Sequence, residues 1–322
     1  MNSLSEMDFS FTMNVKGVDN MKKRRLGNSD LLVSEIGLGC MSLGTVENQA
    51  SEIIQAALDE GINYFDTADL YDFGMNEEIV GKNLKSVRDK VYIATKVGNR
   101  WNENKDSWSW DPSGAHIKTA VKDSLKRLGT DYIDLYQLHG GTISDNIEEA
   151  VEAFEDLKKE GYIRYYGISS IRPNVIKEFT EKSELDSVMM QFNLLDRRPE
   201  EWLSLLANKQ ISMIARGPLA KGLLSEKMLE KANEDGYLDY SYHELKDLLP
   251  QIKDKLSDRK LNETAIQYVL SHQSVATVVP GASSVQQLRD NCQAANSPSL
   301  STTELDILKR LTKVNKYENH RN

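Results

Sequence analysis

The feature that most constrains the fold of this chain is an alternation of short apolar runs with helical repeats, which continues from residue 36 almost to the end. Between the runs, apolar residues recur at three- and four-residue steps, as in Ile117, Val121, Leu125 and Leu128, and this is the spacing of one helix face. The pattern predicts strands at residues 36–40, 62–67, 91–96, 132–139, 165–169, 188–191, 211–216 and 277–280. Strands that alternate with helices are expected to be parallel and joined by right-handed crossovers.

Two architectures accommodate these units, a closed barrel and an open, doubly wound sheet. The open sheet usually binds a dinucleotide through a Gly-x-Gly-x-x-Gly turn after its first strand, with an acidic residue after the second. Here the turn reads GLGCMS at residues 37–42, which lacks the third glycine, and no acidic ribose ligand is evident. The sequence therefore predicts an α/β fold of the (β/α)8 TIM-barrel type, with an N-terminal β-hairpin at residues 22–34 and an extra C-terminal helix that includes Leu305, Leu308 and Leu311.

Composition argues against several classes of partner. The net charge of −9 does not suit nucleic acid, and no apolar run reaches membrane-spanning length. The two cysteines, Cys40 and Cys292, suit a reducing cytosol rather than a disulfide framework. Residues 1–20 have neither the basic nor the apolar region of a signal peptide. We therefore expect a cytoplasmic protein with a disordered N-terminal extension at residues 1–20, Met21 as a second candidate start, and a single barrel domain at residues 21–322.

Four ionisable residues lie at or just beyond the predicted carboxyl ends of three neighbouring strands. Asp66 stands near the end of the second strand, Lys96 ends the third, His139 ends the fourth, and Tyr71 follows the second in its loop. The active site of a barrel lies at these strand ends, so the four side chains are expected to converge.

The chemistry of this set suits proton transfer to a carbonyl oxygen. A tyrosine does not readily exchange its proton at neutral pH, but the ammonium of Lys96 would favour the phenolate. Asp66 would hold Lys96 in place and keep it charged, and His139 would orient the carbonyl and stabilise the charge that develops on it. The set contains neither a nucleophile nor a reductant, so it requires a separate hydride donor.

The motifs around these residues resemble those of the aldo-keto reductase family. They are DTADLY at 66–71 followed by Asn76 and Glu77, ATK at 94–96 and DLYQLH at 134–139. The resemblance covers residues 22–314 and is nearest to the bacterial branch similar to potassium-channel β subunits, including uncharacterised Bacillus-type oxidoreductases with the same GNRW segment at 98–101. It implies reduction of aldehydes or ketones to alcohols by NADPH, with a catalytic tetrad of Asp66, Tyr71, Lys96 and His139 in which Tyr71 is the general acid.

The resemblance also implies where the cofactor binds. Ser169 and Gln191 would hold the carboxamide, residues 217–222 and Lys227 the pyrophosphate, and residues 281–291 the adenosine end. Barrels in general favour phosphate binding on the loops after the last two strands. Gly39, Cys40 and Met41 join the set by position, although small apolar residues there are more often part of the core. The complete candidate set is Gly39, Cys40, Met41, Ser169, Ser170, Gln191, Arg216, Gly217, Pro218, Leu219, Ala220, Lys221, Lys227, Gly281, Ser283, Gln287, Asp290 and Asn291.

Three positions depart from the family pattern. Arg216 stands where an aromatic residue usually stacks on the nicotinamide, and Ser170 where many members have asparagine. Gln287 replaces an arginine that some relatives use for the 2′-phosphate of NADPH. Ser283, Lys227 or Arg289 would then bind this phosphate, so NADPH is expected, with NADH as the alternative.

Specificity and physiological role are less constrained by the sequence. Trp101, Trp108 and Trp110 lie in the irregular segment 98–111 and are candidates for the substrate pocket; the alternative is that they only pack this segment onto the barrel. Segment 225–240 is the second candidate for specificity. The expected ligand is a small carbonyl compound, and no ligand set predicts a metal site. An alternative function is a cofactor-binding redox sensor or accessory subunit with slow residual reductase activity, since potassium-channel β subunits share the fold and the tetrad.

Overall fold

The computed structural model describes residues 21–102 and 104–321, and the extension predicted at residues 1–20 lies outside them. The strands of this part of the chain are β1 (Lys23–Arg25), β2 (Leu32–Ser34), β3 (Leu38–Gly39), β4 (Tyr64–Asp66), β5 (Tyr92–Val97), β6 (Asn99–Trp101), β7 (Trp108–Trp110), β8 (Ile133–Leu138), β9 (Ile163–Ser169), β10 (Ser187–Gln191), β11 (Ser212–Arg216) and β12 (Val275–Val279). Its α-helices are α1 (Glu47–Asp59), α2 (Met75–Leu84), α3 (Gly114–Leu128), α4 (Ile147–Lys159), α5 (Pro173–Lys182), α6 (Leu203–Asn208), α7 (Met228–Lys231), α8 (Tyr242–Lys255), α9 (Leu261–Leu270), α10 (Val285–Asn296) and α11 (Thr302–Leu311). None of the described helices is long and apolar enough to cross a membrane.

Eight parallel strands form the barrel, in the order β12-β11-β10-β9-β8-β5-β4-β3. The two end strands meet through bridges between Ile36 and Val278 and between Gly39 and Gly281, which close the ring. Helices follow the strands and cover the outside, and the predicted (β/α)8 TIM barrel is confirmed. Because the strands are parallel, their carboxyl ends all lie on one rim.

The N-terminal hairpin plugs the opposite rim. Strands β1 and β2 pair antiparallel, as predicted, and the hairpin's Leu26 and Leu31 are fully buried. The Gly27 N–H donates to the Ser212 hydroxyl at the start of β11, which places the hairpin turn at the amino ends of the strands. The extra C-terminal helix is also present, as α11, and it packs on α8.

Strand alternation explains how the carboxyl rim acquires its polar residues. Five strands each contribute one residue to a small apolar cluster that also contains the hairpin leucines: Tyr64, Ala94, Leu135, Met189 and Ile214. Successive strand residues point to opposite faces, so the residue two places later shares the barrel interior. In these five strands that residue is Asp66, Lys96, Gln137, Gln191 and Arg216. The interior is therefore apolar below and polar at the carboxyl rim.

The segments expected to be irregular have structure of their own. Strands β6 and β7 pair antiparallel, with Asn99 opposite Trp110, and so form a hairpin. Segment 225–240 contains α7 and ends in a bridge between Tyr237 and Tyr240. The predicted first strand is shortened to Leu38–Gly39, because the next residues turn into a short 3-10 helix at Cys40–Ser42.

Candidate active site

The centre of the site is a fully buried ammonium group. Lys96 is 0% exposed, and its Nζ donates to Asp66 Oδ2 at 2.7 Å and to the Thr67 carbonyl at 2.6 Å. It also donates to the Tyr71 hydroxyl at 3.5 Å. Strands β4 and β5 pair with Asp66 opposite Ala94, so Lys96 reaches across to its carboxylate from one pleat further on. The structure thus brings three of the four predicted catalytic residues into one hydrogen-bonded group.

The environment keeps the proton on Lys96. Burial alone would lower the pKa of Lys96, but the contacts with Asp66 and Tyr71 outweigh it, so the pKa is raised above its ordinary value. Burial raises the pKa of the Asp66 carboxyl, and the charge and hydrogen bond of Lys96 offset only part of this effect. A buried ion pair of this kind is stable only when its hydrogen bonds are complete.

Gln137 is a member of the site that sequence reasoning missed. Its Nε2 donates to Asp66 Oδ1 at 3.5 Å, and its side chain is fully buried. Strands β5 and β8 pair with Lys96 opposite Gln137, which explains the contact. The signal was present in the sequence, because Gln137 lies two residues before His139 and so shares its face of β8.

Tyr71 opens a strained turn. Residues Tyr71–Gly74 form a short 3-10 helix in which Asp72 and Phe73 have left-handed φ angles of 48° and 53°. Such conformations cost energy in residues other than glycine and are common at functional sites. Gly74 has a φ of 89°, and a Cβ there would lie 2.6 Å from Cδ of Arg127, so only glycine fits.

Asn76 and Glu77, at the start of α2, anchor the helix that follows this turn. The Thr67 hydroxyl donates to Asn76 Oδ1 at 2.6 Å, and Asn76 Nδ2 donates to the Cys40 carbonyl at 2.9 Å. Arg127 Nε donates to Glu77 Oε2 at 2.6 Å from α3, and Glu77 is 0% exposed. These contacts fix the start of α2 against the barrel strands.

His139 completes the predicted tetrad. Its ring meets that of Tyr71 edge-on, with 6.0 Å between centroids, and its backbone N–H donates to the Val97 carbonyl at 2.7 Å. Burial lowers the pKa of His139 to about 3, with added repulsion from Lys96 and Arg216. The buried Nδ1 has no hydrogen-bond partner among the described residues. The imidazole is therefore neutral at physiological pH.

Gln191 and Arg216 sit on the same rim, on neighbouring strands. They are paired in register between β10 and β11, and Arg216 Nη1 donates to Gln191 Oε1 at 3.2 Å. Gln191 Nε2 donates to Asp196 Oδ2 at 3.0 Å and to the Tyr237 hydroxyl at 3.1 Å. Ser169 ends β9 beside Met189 of β10. The exposed guanidinium of Arg216 lies close enough to the tetrad to lower the pKa of His139.

The segment after β11 has two consecutive left-handed residues, Ala220 at φ 47° and Lys221 at φ 58°. Asn193 Nδ2 donates to the Gly217 carbonyl at 3.0 Å and thereby fixes the start of this segment. Pro218 and Ala220 are buried and Leu219 is half-buried, whereas the side chains of Lys221 and Lys227 are exposed to solvent.

The remaining cofactor candidates lie where the barrel closes. The Ser283 N–H and hydroxyl both donate to Gln287 Oε1, at 2.9 and 3.0 Å, at the start of α10. Gln286 donates to Asp290, and Asn291 Nδ2 donates to the Gly281 carbonyl at 3.5 Å. Across this junction Gly39 donates to the Pro280 carbonyl, Cys40 is fully buried, and Met41 is 65% exposed.

The three tryptophans of the β6–β7 hairpin differ in placement. The ring of Trp110 packs on the backbone at Gly98 and at Gly140, the residue after His139, since a Cβ there would lie 2.6 or 3.0 Å from it. Its Nε1 donates to Asp145. Trp101 meets the Phe73 ring edge-on at 6.2 Å, and Trp108 is 57% exposed.

The closed barrel, with an Asp–Lys–Tyr cluster and a buried histidine on its carboxyl rim, is the structure of one class of barrel proteins. Comparison with known proteins identifies this class. Residues 35–313 match the model of the Aldo/keto reductase family. The chain belongs to this family, as its motifs predicted, and is an oxidoreductase.

Similar proteins are known from two species of Bacillus. The chain is 57% identical over 305 residues to the uncharacterized oxidoreductase YqkF of Bacillus subtilis, covering 94% of this chain and 100% of that protein. It is also similar to the holo form of the aldo-keto reductase AKR11C1 from Bacillus halodurans, with a TM-score of 0.90 and 56% identity, and 94% and 100% of the two chains covered. The apo form of the same protein gives a TM-score of 0.82 with 52% identity at the same coverage.

Proposed function

We propose that this enzyme reduces aldehydes or ketones to alcohols with NADPH, and that Tyr71 is the general acid that protonates the carbonyl oxygen. The observation that carries the proposal is the hydrogen bond from Lys96 Nζ to the Tyr71 hydroxyl, 3.5 Å long, in a fully buried charged group. Because Lys96 donates to the phenol oxygen, the phenol hydrogen remains free for a substrate. The ammonium then stabilises the phenolate left behind after transfer.

The electrostatics favour Tyr71 over His139 as the proton donor. With a pKa of about 3, His139 carries no exchangeable second proton at neutral pH. A neutral imidazole still hydrogen-bonds a carbonyl oxygen and stabilises the charge that develops there. His139 would thus orient the substrate, and Tyr71 would supply the proton.

The residues on the rim fit a nicotinamide cofactor. The hydroxyl of Ser169, the amide of Gln191 and the guanidinium of Arg216 stand at neighbouring strand ends, a donor and acceptor set that suits a carboxamide. The buried His139 Nδ1 and Gln137 Oε1 also lack partners among the described residues. A bound nicotinamide would supply the hydride that this set of acids and bases lacks.

The start of α10 supports NADPH rather than NADH. Gln287 Oε1 accepts hydrogen bonds from both the N–H and the hydroxyl of Ser283 and thus occupies an acceptor position at a helix N-terminus. Phosphate oxygens bind well at such positions. Ser283, Lys227 or Arg289 would then contact the 2′-phosphate.

We also propose that the enzyme is cytoplasmic, because Cys40 and Cys292 are both free and buried, which suits a reducing compartment.

Replacement of Tyr71 by phenylalanine tests the proposal. NADPH oxidation is followed with a panel of aldehydes and ketones, and NADPH binding by fluorescence titration. Tyr71→Phe should lower kcat by roughly 100-fold or more and leave the Kd for NADPH within about twofold. Tyr242→Phe, on α8 and far from Lys96 in sequence, is the matched control with wild-type turnover. Wild-type turnover by Tyr71→Phe refutes the role of Tyr71, and binding of NADPH without turnover of any carbonyl by the wild type favours the sensor function.

A further inference from the structure

The side-chain amide of Gln191 has an orientation that its neighbours determine. Its Nε2 lies 3.0 Å from Asp196 Oδ2 and 3.1 Å from the Tyr237 hydroxyl, and its Oε1 lies 3.2 Å from Nη1 of Arg216. The two ends of an amide are alike in shape, and only their hydrogen-bond partners distinguish the oxygen from the nitrogen. The partners of Gln191 therefore decide which atom faces the rim of the barrel.

Arg198 holds Asp196 as a carboxylate that only accepts hydrogen bonds. Asp196 is 0% exposed, and Arg198 donates to both of its oxygens, from Nε to Oδ1 at 2.7 Å and from Nη2 to Oδ2 at 2.8 Å. The guanidinium is itself fixed over the ring of Tyr317, with Cζ 4.1 Å from the ring centroid. An amide oxygen 3.0 Å from this carboxylate would be repelled, so the nitrogen of Gln191 must face Asp196.

The Tyr237 hydroxyl is the second acceptor for this nitrogen. Asn193 Oδ1 accepts from the Leu195 N–H at 2.9 Å, and Asn193 Nδ2 donates to the Gly217 carbonyl at 3.0 Å, so the Asn193 amide also has one orientation. Its Nδ2 donates to the Tyr237 hydroxyl at 2.9 Å. A hydroxyl oxygen has two lone pairs, and Tyr237 thus accepts from the amides of Asn193 and Gln191 together.

The oxygen of the Gln191 amide is left on the side of Arg216. Burial lowers the pKa of His139 most, and Lys96 and Arg216 lower it further, so this guanidinium lies near the tetrad. A carbonyl oxygen has two lone pairs, and the bond from Arg216 occupies one of them. Oε1 of Gln191 can therefore accept one further hydrogen bond at the carboxyl rim, which suits the NH2 group of a carboxamide.

We propose that Asp196 and Tyr237 are positioning residues, which hold Gln191 so that its Oε1 accepts a hydrogen bond from the NH2 group of the nicotinamide carboxamide. This inference rests on the proposed cofactor site, and it adds the direction of the contact and the residues that impose it. Without these two acceptors the amide could rotate by half a turn and present its own NH2 to that of the cofactor. Such a rotation removes one hydrogen bond, and it affects only a ligand that carries the NH2 group.

Calorimetric titration of the full-length protein with two oxidised cofactors tests the direction of this contact. The probes are NADP+ and acetylpyridine adenine dinucleotide phosphate, in which a methyl group replaces the NH2 of the carboxamide. The measured quantity is the Kd of the analogue divided by the Kd of NADP+. This ratio should be about fivefold or more higher for the wild type than for Gln191→Leu, as expected for one hydrogen bond. A merely structural defect raises both Kd values and leaves their ratio unchanged.

Two variants test the positioning residues. Asp196→Asn replaces one carboxylate oxygen with an NH2 group at nearly constant shape, and Tyr237→Phe removes the second acceptor. Each should lower the ratio by about twofold or more, towards that of Gln191→Leu. Asp134→Asn is the matched control, because Asp134 is 1% exposed, is paired with two arginines and lies near the amino end of β8. It should keep the wild-type ratio.

The possible outcomes separate this inference from the proposed function. A wild-type ratio in Gln191→Leu, Asp196→Asn or Tyr237→Phe overturns the inference, and so does an equal fall in Asp134→Asn. Tyr237→Phe alone decides the question if Asp196→Asn does not fold. The ratio is measured by binding, so it does not depend on the role of Tyr71. Failure of the proposed cofactor site would appear instead as the absence of binding of either probe by the wild type, and it would remove this inference as well.

Discussion

Replacing Lys96 with methionine would leave a buried carboxylate without its counter-charge. Methionine approximates the length of lysine but has no ammonium, so Asp66 retains only the 3.5 Å contact with Gln137, and the Thr67 carbonyl loses its donor at 2.6 Å. Breaking one side of a buried ion pair typically costs about 3–5 kcal/mol. For a chain of 322 residues, each kcal/mol shifts the melting temperature by about 1.5 °C, so that of Lys96→Met should fall by at least ~4 °C.

The deficit should depend on pH in a defined direction. Without Lys96, burial alone acts on Asp66 and raises its folded pKa above the unfolded value. A carboxyl group of this kind contributes stability below its unfolded pKa, and that stability is lost as the pH rises through the folded pKa. Lys96→Met should therefore be closer to the wild type at pH 5 than at pH 8.

The double variant Lys96→Met/Asp66→Asn separates stability from activity. It removes the buried charge, so it should regain most of the lost stability and its pH dependence while carbonyl reduction remains absent. Melting curves followed by circular dichroism at both pH values, beside NADPH oxidation, measure the two properties. A melting temperature of Lys96→Met within ~1 °C of the wild type at pH 8, or no recovery in the double variant, would refute the reasoning.

Three further expectations concern other buried groups. The NMR chemical shifts of the His139 ring should not change from pH 8 to pH 5, because burial lowers its pKa to about 3. The neutral ring contributes stability at pH values above the pKa of histidine in the unfolded chain, and this stability is lost as the pH falls towards the pKa in the folded protein. Arg127→Met should destabilise the protein by about 3–5 kcal/mol through the unpaired Glu77, whereas Lys82→Met, in an exposed ion pair, should change stability by less than ~1 kcal/mol in the same unfolding assay. Burial raises the pKa of Asp186 to about 7, so its contribution is present below the unfolded pKa and is lost as the pH rises through about 7; melting curves should show Asp186→Asn gaining on the wild type between pH 5 and pH 8.

The barrel could be predicted because its strands and helices repeat a simple pattern. Eight apolar runs with helical repeats between them leave few topologies, and the rule that sites lie at carboxyl strand ends then groups Asp66, Lys96 and His139. The place of Gln137 in the site could also be predicted, because residues two apart in a strand share a face and Gln137 lies two residues before His139. The resemblance of the motifs added the role expected of each residue, which periodicity does not indicate.

Other parts depend on contacts that local sequence does not encode. The β6–β7 hairpin lacks apolar alternation and is held by its tryptophans, with Trp101 against Phe73 and Trp110 against Gly98 and Gly140. Helix α8, with its proline inside, follows an irregular segment and was not predicted. The pair of Arg127 and Glu77 joins residues fifty positions apart. Only the packed structure shows such contacts, because each depends on where two elements meet.

The position of the tetrad along the chain also affects how the enzyme is assembled. Asp66 and Lys96 belong to β4 and β5, and His139 directly follows β8, whereas most of the proposed cofactor positions lie in or after β9 and later strands. Neither stretch alone would hold both a proton source and a hydride source. The catalyst would thus arise at the moment when β12 reaches β3, and a chain arrested on the ribosome before that point could not consume cofactor. Enzyme activity would therefore report whether the barrel has closed. Two fragments divided in the loop after β8 should each be inactive alone and should become active when they reassemble.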